Sequence, residues 1–352
     1  MLCRLGLKVE LVSAAGGISE RFFVAKGERV VVGENVRARY FPTVGGGNIL
    51  CRVARKALSG SSLLSLLLFK VRRDDCVLLY HWPGFSKVIR FMRRLRKFRL
   101  ILEVEELYQD AVPMSAKECE AEWRLLGAAN AIICSTKQLN DVVNTARKPH
   151  AVIHGQYSAE PKISTPPDDG RIHVVYSGTF DPTKGGAYAA IEAVPYLTDE
   201  YCLHISGFGT PEEVVGVTKI IAEMQVRFPG RIEYHGRLDG RDYRSLLQSC
   251  RIGLSTQNPS EKFNGTSFPS KVLSYMTNGL VVVSTDVKVV RESALGTLIT
   301  FCDECTGPSI ADAIMRAAAT PDASERTART LRALDADAAD ALRTVFLMRD
   351  SM

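Results

Sequence analysis

The stretch "NGTSFPSKVLSYMTNGLVVVSTD" (residues 264–286) contains a helix-like segment followed directly by an apolar strand. The run at 280–285 is continuously apolar, which is typical of a strand covered on both faces and hence of a parallel sheet between helices. Pro269 suits the first turn of a helix, where its missing N–H costs nothing, so Ser267 or Phe268 would be the cap. The stretch therefore predicts one helix–strand unit of an α/β fold.

Strand-like and helix-like runs alternate along most of the chain, and this alternation predicts two doubly wound, Rossmann-like domains. In the first half we predict strands at 7–13, 76–82, 99–105, 130–136 and 150–154, with helices near 47–58, 84–97, 116–128 and 137–146. In the second half we predict strands at 172–178, 201–207, 231–236, 251–256, 280–285 and 297–302, with helices near 185–197, 211–228, 240–249, 269–278, 308–320 and 324–348.

The segment "GQYSAEPKISTPPDDG" (155–170) is rich in Pro, Ser and Asp and separates the two alternating blocks. We predict an N-terminal domain at 1–155, a linker at 156–170, a C-terminal domain at 171–335 and a terminal helix at 336–352 that packs back on the N-terminal domain. The two domains would face each other across a cleft, where ligands of open α/β sheets bind.

A doubly wound domain normally opens with a strand, a glycine turn and a helix. Here "MLCRLG" reads as the end of that first helix, followed by "LKVELVS" as the second strand. We therefore expect the N-terminal domain to lack its first strand and loop, because either the chain is truncated or this sheet is unusual.

Composition indicates a globular protein, with 46% hydrophobic and 24% charged residues. The longest apolar runs, such as "SLLSLLLF" (62–69), fall well short of the roughly 20 residues that span a bilayer, and the N-terminus alternates like a strand rather than a signal peptide. The 9 cysteines are scattered, and the Cys-x-x-Cys of "FCDECTG" lacks a second ligand pair. We predict free thiols in the cytoplasm.

Charge is distributed unevenly along the chain. Residues 1–150 carry 25 Lys+Arg and 14 Asp+Glu, a net +11, whereas residues 151–352 carry 20 and 25, a net −5. The segment "KVIRFMRRLRKFRL" (87–100), read as a helix, would turn its apolar side inward: Val88, Ile89, Phe91, Met92 and Leu95. Its cations suit anionic lipid headgroups or nucleic acid, and a plain solvated face is the alternative. No nucleic acid is expected, because an extended patch with interleaved aromatics is missing.

Lysines stand at helix starts where the helix dipole favours an anion. Ser270 and Lys271 fall in the first turn after Pro269, and in "YSGTFDPTKGG" (176–186) Lys184 precedes the next helix start. A cation is unfavourable at such a position unless an anion lies there too. Together with the glycine turn "SGFGTPEE" (206–213), these features predict a phosphate-binding cleft; surface lysines without a ligand are the alternative.

Residues 171–305 resemble the donor domain of GT-B fold glycosyltransferases, close to family 4, the bacterial polysaccharide-type glycosyl transferases group 1. "VVYSGTFDPTKGG" resembles the glycine–arginine–x–x–x–x–lysine–glycine turn of that family. "RIEYHGRLDGRDYRSLLQSCRIGLST" resembles its nucleobase loop with the flanking elements, and "TSFPSKVLSYMTNGLVVVST" its phosphate helix and next strand. The resemblance implies these donor-binding and phosphate-binding residues: Gly178, Thr179, Gly207, Arg237, Thr266, Ser267, Phe268, Pro269, Ser270 and Ser274.

The sequence departs from the family at several positions. Thr179 replaces the arginine of the first turn, and Thr266 and Ser274 replace two glutamates, the second of which commonly holds the ribose. A serine hydroxyl hydrogen-bonds less strongly than a carboxylate.

In the first half, "RLILEVEELYQD" (99–110) resembles the strand whose end carries a histidine near the donor sugar in some relatives; Glu105 stands there, beside Glu106. Glu105 would hydrogen-bond a sugar hydroxyl or orient the acceptor, and the alternative is a carboxylate satisfied by a loop or helix start. His81 ends another strand next to Trp82, a candidate sugar-stacking platform, with a structural histidine as the alternative.

We therefore predict a glycosyltransferase of hexosyltransferase type that moves a sugar from a nucleotide-diphosphate sugar to an acceptor hydroxyl, with Glu105, Lys184 and Lys271 as catalytic residues. The resemblance implies retention of configuration. We expect no metal and no cofactor besides the donor, since the only Asp-x-Asp, at 335–337, falls in a predicted helix.

The predicted acceptor is a carbohydrate or lipid-linked intermediate of polysaccharide or glycolipid synthesis, met at the inner face of the membrane through contact of 87–100. The alternative is a non-catalytic sugar-nucleotide-binding or scaffold subunit of a polysaccharide assembly system.

Overall fold

The structure is a computed structural model of the chain, and it describes residues 2–13, 21–321 and 323–347. The chain divides into two compact units. The N-terminal unit consists of Met1–Cys134, Asn140–Val152 and Ala338–Met352. The C-terminal unit consists of Ser135–Leu139 and Ile153–Asp337.

The N-terminal unit is built around a parallel sheet whose strands follow the order β6-β7-β8-β9. Two smaller sheets precede it, β1-β4-β3 and β2-β5. The strands are β1 Val9–Ser13, β2 Phe23–Ala25, β3 Glu28–Gly33, β4 Val36–Tyr40, β5 Thr43–Gly45, β6 Cys76–Tyr80, β7 Arg99–Val104, β8 Ala131–Cys134 and β9 His150–Val152. The helices are α1 Ile49–Phe69, α2 Ser86–Arg96, α3 Tyr108–Ala111 and α4 Ala116–Ala128; α5 Lys137–Val143 has residues in both units.

The central strand β7 shows why its segment forms a buried strand. Leu100, Ile101, Leu102 and Val104 are fully buried, as expected for a parallel strand covered on both faces. Ile89 and Met92 of α2 are buried as well.

Phe91 and Leu95 do not face inward as predicted; their side chains are 63% and 56% exposed. One short helix packed against a sheet buries only a stripe of its surface, and this stripe is too narrow to hold all five apolar residues.

The strand at 7–13 was expected to belong to a doubly wound sheet, and here the structure differs. β1 pairs in parallel with β4, which forms an antiparallel pair with β3. Strands β2 to β5 were not predicted. β2 and β5 have only three residues each, and β3 is exposed throughout although it contains three consecutive valines, 30–32. Helix α1 also continues to Phe69, past its predicted end at 58, because Leu63 and Leu67 of the additional turns are buried.

The C-terminal unit contains one six-stranded parallel sheet in the order β12-β11-β10-β13-β14-β15. Its strands are β10 Ile172–Thr179, β11 Tyr201–Phe208, β12 Ile232–Tyr234, β13 Ile252–Ser255, β14 Val281–Ser284 and β15 Ile299–Phe301. Its helices are α6 Gly186–Glu192, α7 Pro211–Arg227, α8 Gly240–Gln248, α9 Ser270–Thr277, α10 Lys288–Arg291 and α11 Gly307–Ala318; α12 Ala323–Leu347 has residues in both units.

The strand order reverses direction between β10 and β13. The chain adds β11 and β12 on one side of β10 and then returns to place β13 on the other side. In open α/β sheets, ligands bind outside the carboxyl ends of the strands at such a switch point. A ligand site is therefore expected at the residues that follow β10 and β13.

No helix within the described residues has both the length and the apolar character to cross a membrane. All nine cysteines are free thiols, and five of them are buried: Cys51, Cys134, Cys202, Cys250 and Cys302.

Candidate functional site

Lys271 and Tyr176 meet at the switch point. Tyr176 is a buried residue of β10, and Lys271 lies in the first turn of α9. The Lys271 Nζ lies 4.4 Å from the centroid of the Tyr176 ring and donates a long hydrogen bond of 3.4 Å to Tyr176 Oη. Tyr176 Oη in turn donates to the carbonyl oxygen of Thr179, at 3.0 Å. The tyrosine therefore holds the lysine at the carboxyl end of β10.

Two glycines make room for this pair. A Cβ on Gly178 would lie 2.9 Å from Lys271 Nζ and 3.1 Å from Tyr176 Oη. A Cβ on Gly186, the first residue of α6, would lie 2.8 Å from the same hydroxyl. Contacts this close force a shift of the neighbouring atom, so the glycine turn keeps the space beside the ammonium group open.

Lys184 supplies a second positive charge to the same region. Its exposed side chain lies over the ring of Phe263, with Nζ 5.4 Å from the ring centroid. Burial, and secondarily the charge of Lys184, lowers the pKa of Lys271 to about 8. Among the residues that the structure describes, no carboxylate lies within ion-pair distance of either lysine. Two neighbouring cations without an acidic partner form a site for an anion.

The start of α9 adds backbone donors to these cations. Its N-cap is Pro269, so the proline stands one residue before the helix and not within the first turn as predicted. No side chain caps this end, whereas α4 and α7 each carry a capping box. Uncapped amides and the helix dipole favour an anion beside the exposed Ser270 and the partly buried Lys271.

The residues before the proline fix the position of this helix start. The backbone N–H groups of Thr266 and Ser267 already donate to the Phe263 carbonyl, at 3.3 and 2.8 Å. The Thr266 carbonyl accepts from Thr136 Oγ1 at 2.5 Å. Phe268 is buried and stacks on His154 with ring centroids 4.4 Å apart. These contacts hold the loop in shape.

The side chain of Tyr275 connects α9 to the end of β10. Its hydroxyl accepts the backbone N–H of Ser177 at 2.9 Å, directly before Gly178. Gly253 makes this possible, because a Cβ there would lie 2.4 Å from the Tyr275 ring. The helix α9 is thus tied to the ends of both central strands.

Other predicted donor residues lie around this centre. Ser274 Oγ is 3.2 Å from the hydroxyl of Tyr243, and the guanidinium of Arg237 lies over Phe208, 5.3 Å from the ring centroid. Gly207 is required by the fold, since its Cβ would lie 2.1 Å from the Gly178 carbonyl oxygen. Helix α7, which follows Gly207, is capped at its N-terminus by its own capping box of Thr210 and Glu213.

The candidate residues of the N-terminal unit lie at the ends of β6 and β7. Glu105 is exposed and accepts a hydrogen bond of 3.2 Å from Tyr80 Oη. Burial and, next, the charge of Glu105 raise the pKa of Tyr80, which keeps the phenol protonated. Glu106, beside Glu105, is partly buried.

His81 has a structural environment. It is buried, and its Nε2 lies 2.8 Å from Glu122 Oε1, which also accepts the Tyr108 backbone N–H at 2.9 Å. In this arrangement the imidazole supports the loop after β7 and is not open to a sugar. Its neighbour Trp82 remains 50% exposed and contacts Tyr108 edge to face at 5.3 Å.

Sequence reasoning missed three aromatic residues of the site, Tyr176, Tyr243 and Phe263. Tyr176 falls inside an apolar strand and reads as core, which it also is. The only available signal was its position two residues before Gly178, on the same face of an extended strand.

The sequence of the C-terminal unit resembles a known protein family. Residues 171–319 match the family described as "Glycosyl transferases group 1". This segment is similar to the group 1 glycosyl transferases. The match confirms the resemblance and the prediction of a glycosyltransferase. Among curated protein sequences, none matches the chain significantly.

Solved glycosyltransferases share the fold of the whole chain. Sucrose-phosphate synthase from Thermosynechococcus elongatus is 14% identical, with a TM-score of 0.68 over 98% of this chain and 89% of that one. HepE from Anabaena in complex with UDP is 13% identical, with a TM-score of 0.62 over 88% and 86%. A UDP-forming trehalose-phosphate synthase from Burkholderia xenovorans is 14% identical, with a TM-score of 0.62 over 96% and 94%. The likeness confirms the predicted α/β fold of GT-B type.

Proposed function

We propose that the chain transfers a sugar from a nucleoside-diphosphate sugar to an acceptor hydroxyl. The observation that carries this proposal is the cation pair of Lys184 and Lys271 at the uncapped start of α9, for which the described part of the chain supplies no acidic partner. A diphosphate matches this arrangement, because it offers two adjacent anionic groups to two cations and to free amides.

The chemical task of the site is to stabilise the leaving diphosphate. As the bond between the sugar and the phosphate breaks, negative charge grows on the phosphate oxygen. Lys271, held against Tyr176, and the more exposed Lys184 would neutralise that charge, with the Ser270 hydroxyl and the amides of the first turn as hydrogen-bond donors. Desolvation strengthens the contribution of Lys271, since its surroundings screen little.

The remaining groups would serve the nucleoside and the acceptor. Ser274 beside Tyr243 offers two hydroxyl groups to a ribose, and Arg237 over Phe208 offers a flat surface to a base. Glu105 would orient the acceptor hydroxyl. Related structures are named as complexes with UDP and with UDP-glucose, so uridine diphosphate sugars are the first donors to test.

The acceptor that we propose is a carbohydrate or a lipid-linked intermediate of polysaccharide or glycolipid synthesis, met at the inner face of a membrane. The support is the outer face of α2. Phe91 and Leu95 are one helical turn apart, exposed, and accompanied by the exposed cations Lys87 and Arg94. Apolar side chains among cations suit the surface of an anionic bilayer.

The direct test measures the release of nucleoside diphosphate from a panel of sugar nucleotides with membrane extract as acceptor source. Lys184→Ala and Lys271→Ala should each lower kcat/KM by at least about 100-fold, the loss of roughly 2.7 kcal/mol of transition-state stabilisation. The control is Lys219→Ala, which removes an exposed lysine from α7 of the same unit. Full turnover in both site variants would refute the proposal.

Retention of configuration and catalysis without a metal are tested separately. Nuclear magnetic resonance of the product anomeric proton tests the proposed retention of configuration. Turnover that survives excess EDTA supports catalysis without a metal, and loss of turnover that Mg²⁺ or Mn²⁺ restores contradicts it.

A non-catalytic sugar-nucleotide-binding subunit is the second candidate, and one observation favours it. Thr266 and Ser274 stand where the resembled family has glutamates, and the Thr266 carbonyl is engaged with Thr136. Calorimetry separates the two functions, since donor binding without turnover on any acceptor would support the scaffold, whereas turnover excludes it.

A further inference from the structure

A row of ionisable side chains lies on one sheet face of the C-terminal unit, close to its β12 edge. His173 of β10 pairs in register with Cys202 of β11, and His204 pairs with Glu233 of β12. Because side chains two residues apart in a strand point the same way, His235 shares this face. Five groups that can bind metals are therefore aligned across three strands.

The three histidines form a ladder of close contacts. His173 Nδ1 lies 2.7 Å from His204 Nε2, and His204 Nδ1 lies 2.9 Å from His235 Nε2. The far end of the ladder is held by Asp169, whose carboxylate is 3.2 Å from His173 Nε2. If each imidazole donates toward Asp169, then His204 donates through Nε2 and presents the lone pair of Nδ1 to His235 and Glu233.

The outer end of the ladder has the spacing of a metal site. His204 Nδ1, His235 Nε2 and the Glu233 carboxylate are separated by 2.9, 3.5 and 3.8 Å. Ligand atoms about 2.0–2.1 Å from a tetrahedral Zn²⁺ stand roughly 3.3 Å apart. The three observed separations bracket that value, so an ion fits with small rotations of the side chains.

We propose that His204, His235 and Glu233 bind one Zn²⁺, which ties the edge strand β12 to β11. The ion replaces the hydrogen bond between His204 Nδ1 and His235 Nε2. His235 then carries its one ring proton on Nδ1, so both residues bind the ion as neutral imidazoles. The hydrogen bonds from His204 to His173 and from His173 to Asp169 remain and orient the inner ligand, as outer-shell partners of metal-bound histidines do.

The inner triad of His173, Cys202 and His204 is the rival position, and the structure disfavours it. Those three residues are buried, whereas the side chains of His235 and Glu233 are 29% and 46% exposed and give an ion an entry path.

The site lies next to the proposed donor pocket without belonging to it. Gly236 and Arg237 follow His235 directly, and the Gly236 carbonyl accepts from the backbone N–H of Gly207 at 3.0 Å and from Ser206 Oγ at 2.9 Å. An ion at His235 would therefore fix the start of the loop that carries Arg237. Its role is structural, so it takes no part in the chemistry at the diphosphate.

The experiment uses tag-free, full-length protein that has been dialysed against a chelator and is then titrated with Zn²⁺ in a calorimeter. Co²⁺ serves as a second probe, because its visible absorption reports four-coordinate nitrogen and oxygen ligation. The wild type should bind one Zn²⁺ and unfold at a higher temperature with the ion than without it. His235→Gln and Glu233→Gln should each weaken binding by about 100-fold or more, beyond the 10- to 100-fold that loss of an outer-shell partner costs.

Two further variants make the outcome specific. The double variant His150→Gln with Glu223→Gln removes one exposed histidine and one exposed glutamate elsewhere and should bind as the wild type does. Cys202→Ala should also retain the affinity. The proposal is overturned if the wild type binds no Zn²⁺, if the Gln variants bind as tightly as the wild type, or if Cys202→Ala alone abolishes binding.

The metal site and the proposed function fail separately. Nucleotide release by a protein that binds no Zn²⁺ would refute the metal site and leave the transferase proposal intact. A protein that binds Zn²⁺ but shows no turnover on any acceptor would refute the transferase proposal and leave the metal site intact.

Discussion

Lys271 shows how a single residue links the stability of the protein to its proposed activity. Burial lowers the pKa of this lysine to about 8 from its ordinary 10.5, so the folded protein holds the charge less readily than the unfolded chain does. The charged lysine therefore destabilises the donor-free protein. Binding sites commonly keep such groups, because their ligand supplies the missing partner.

Lys271→Met should raise the stability of the donor-free protein by about 1–2 kcal/mol near pH 7 and abolish tight donor binding. Between pH 8 and 10.5 the unfolded chain binds more protons, so the wild type gains stability with rising pH and the advantage of the variant fades. Urea unfolding at several pH values measures both effects. Lys219→Met is the control, and an advantage that grows above pH 8 would contradict the explanation.

Gly178 is the second residue with a defined consequence. In Gly178→Ala the new Cβ would lie 2.9 Å from Lys271 Nζ, so the flexible end of the lysine must move away. We expect kcat/KM to fall by about tenfold or more, roughly 1.4 kcal/mol, with little change in stability. The control is Gly60→Ala, whose Cβ meets no atom within 4 Å. Steady-state kinetics with a sugar nucleotide measure this effect. An unchanged kcat/KM would show that the added Cβ does not displace the Lys271 ammonium group.

At the scale of elements, α2 presents an apolar pair on an otherwise basic helix. Phe91→Ser combined with Leu95→Ser should reduce binding to vesicles of anionic lipid by about tenfold, since each loses a buried apolar side chain at the bilayer surface. Co-sedimentation measures the bound fraction. The matched control is Val215→Ser with Val226→Ser, which removes two exposed apolar residues from α7. Equal losses in both double variants would contradict a specific role of α2.

The same scale shows how far the sequence could predict the structure. All six strands of the C-terminal unit were predicted, because a parallel sheet covered on both faces needs continuous apolar runs, as in the fully buried Val281–Ser284. Strands β2 and β5 were missed because three residues are too few to show a pattern, and β3 was missed although it carries three valines, whose exposure in the fold no local pattern reveals. Lysines 184 and 271 were identifiable from their conflict with the helix dipole, whereas the part of Tyr176 depends on packing across strands that no local pattern reveals.

At the scale of the whole molecule, the N-terminal unit draws on both ends of the described chain. Ala338–Met352 belongs to it, and Leu342, Val345 and Phe346 of α12 are buried. Cys76 at the start of β6 contacts the Phe346 carbonyl, with the sulfur 3.9 Å from the oxygen. The terminal helix is therefore part of the core of this unit.

Leu342→Ala should destabilise the protein by about 2–4 kcal/mol, because it leaves a cavity in that core. Leu347→Ala, at a position that is 56% exposed, is the control and should cost less than about 1 kcal/mol. Thermal unfolding followed by circular dichroism compares the two. A similar small cost for both variants would place the helix outside the core.

The composition of the N-terminal unit also sets the order of events at the ribosome. Its first strands emerge early in translation, whereas the segment from Ala338 onward that completes it emerges after the residues of the C-terminal unit. The C-terminal unit, whose residues end at Asp337, is available to fold before that. Until the segment from Ala338 onward has emerged, the nascent chain therefore carries an unfinished first unit with exposed apolar surface, the kind of intermediate that chaperones protect.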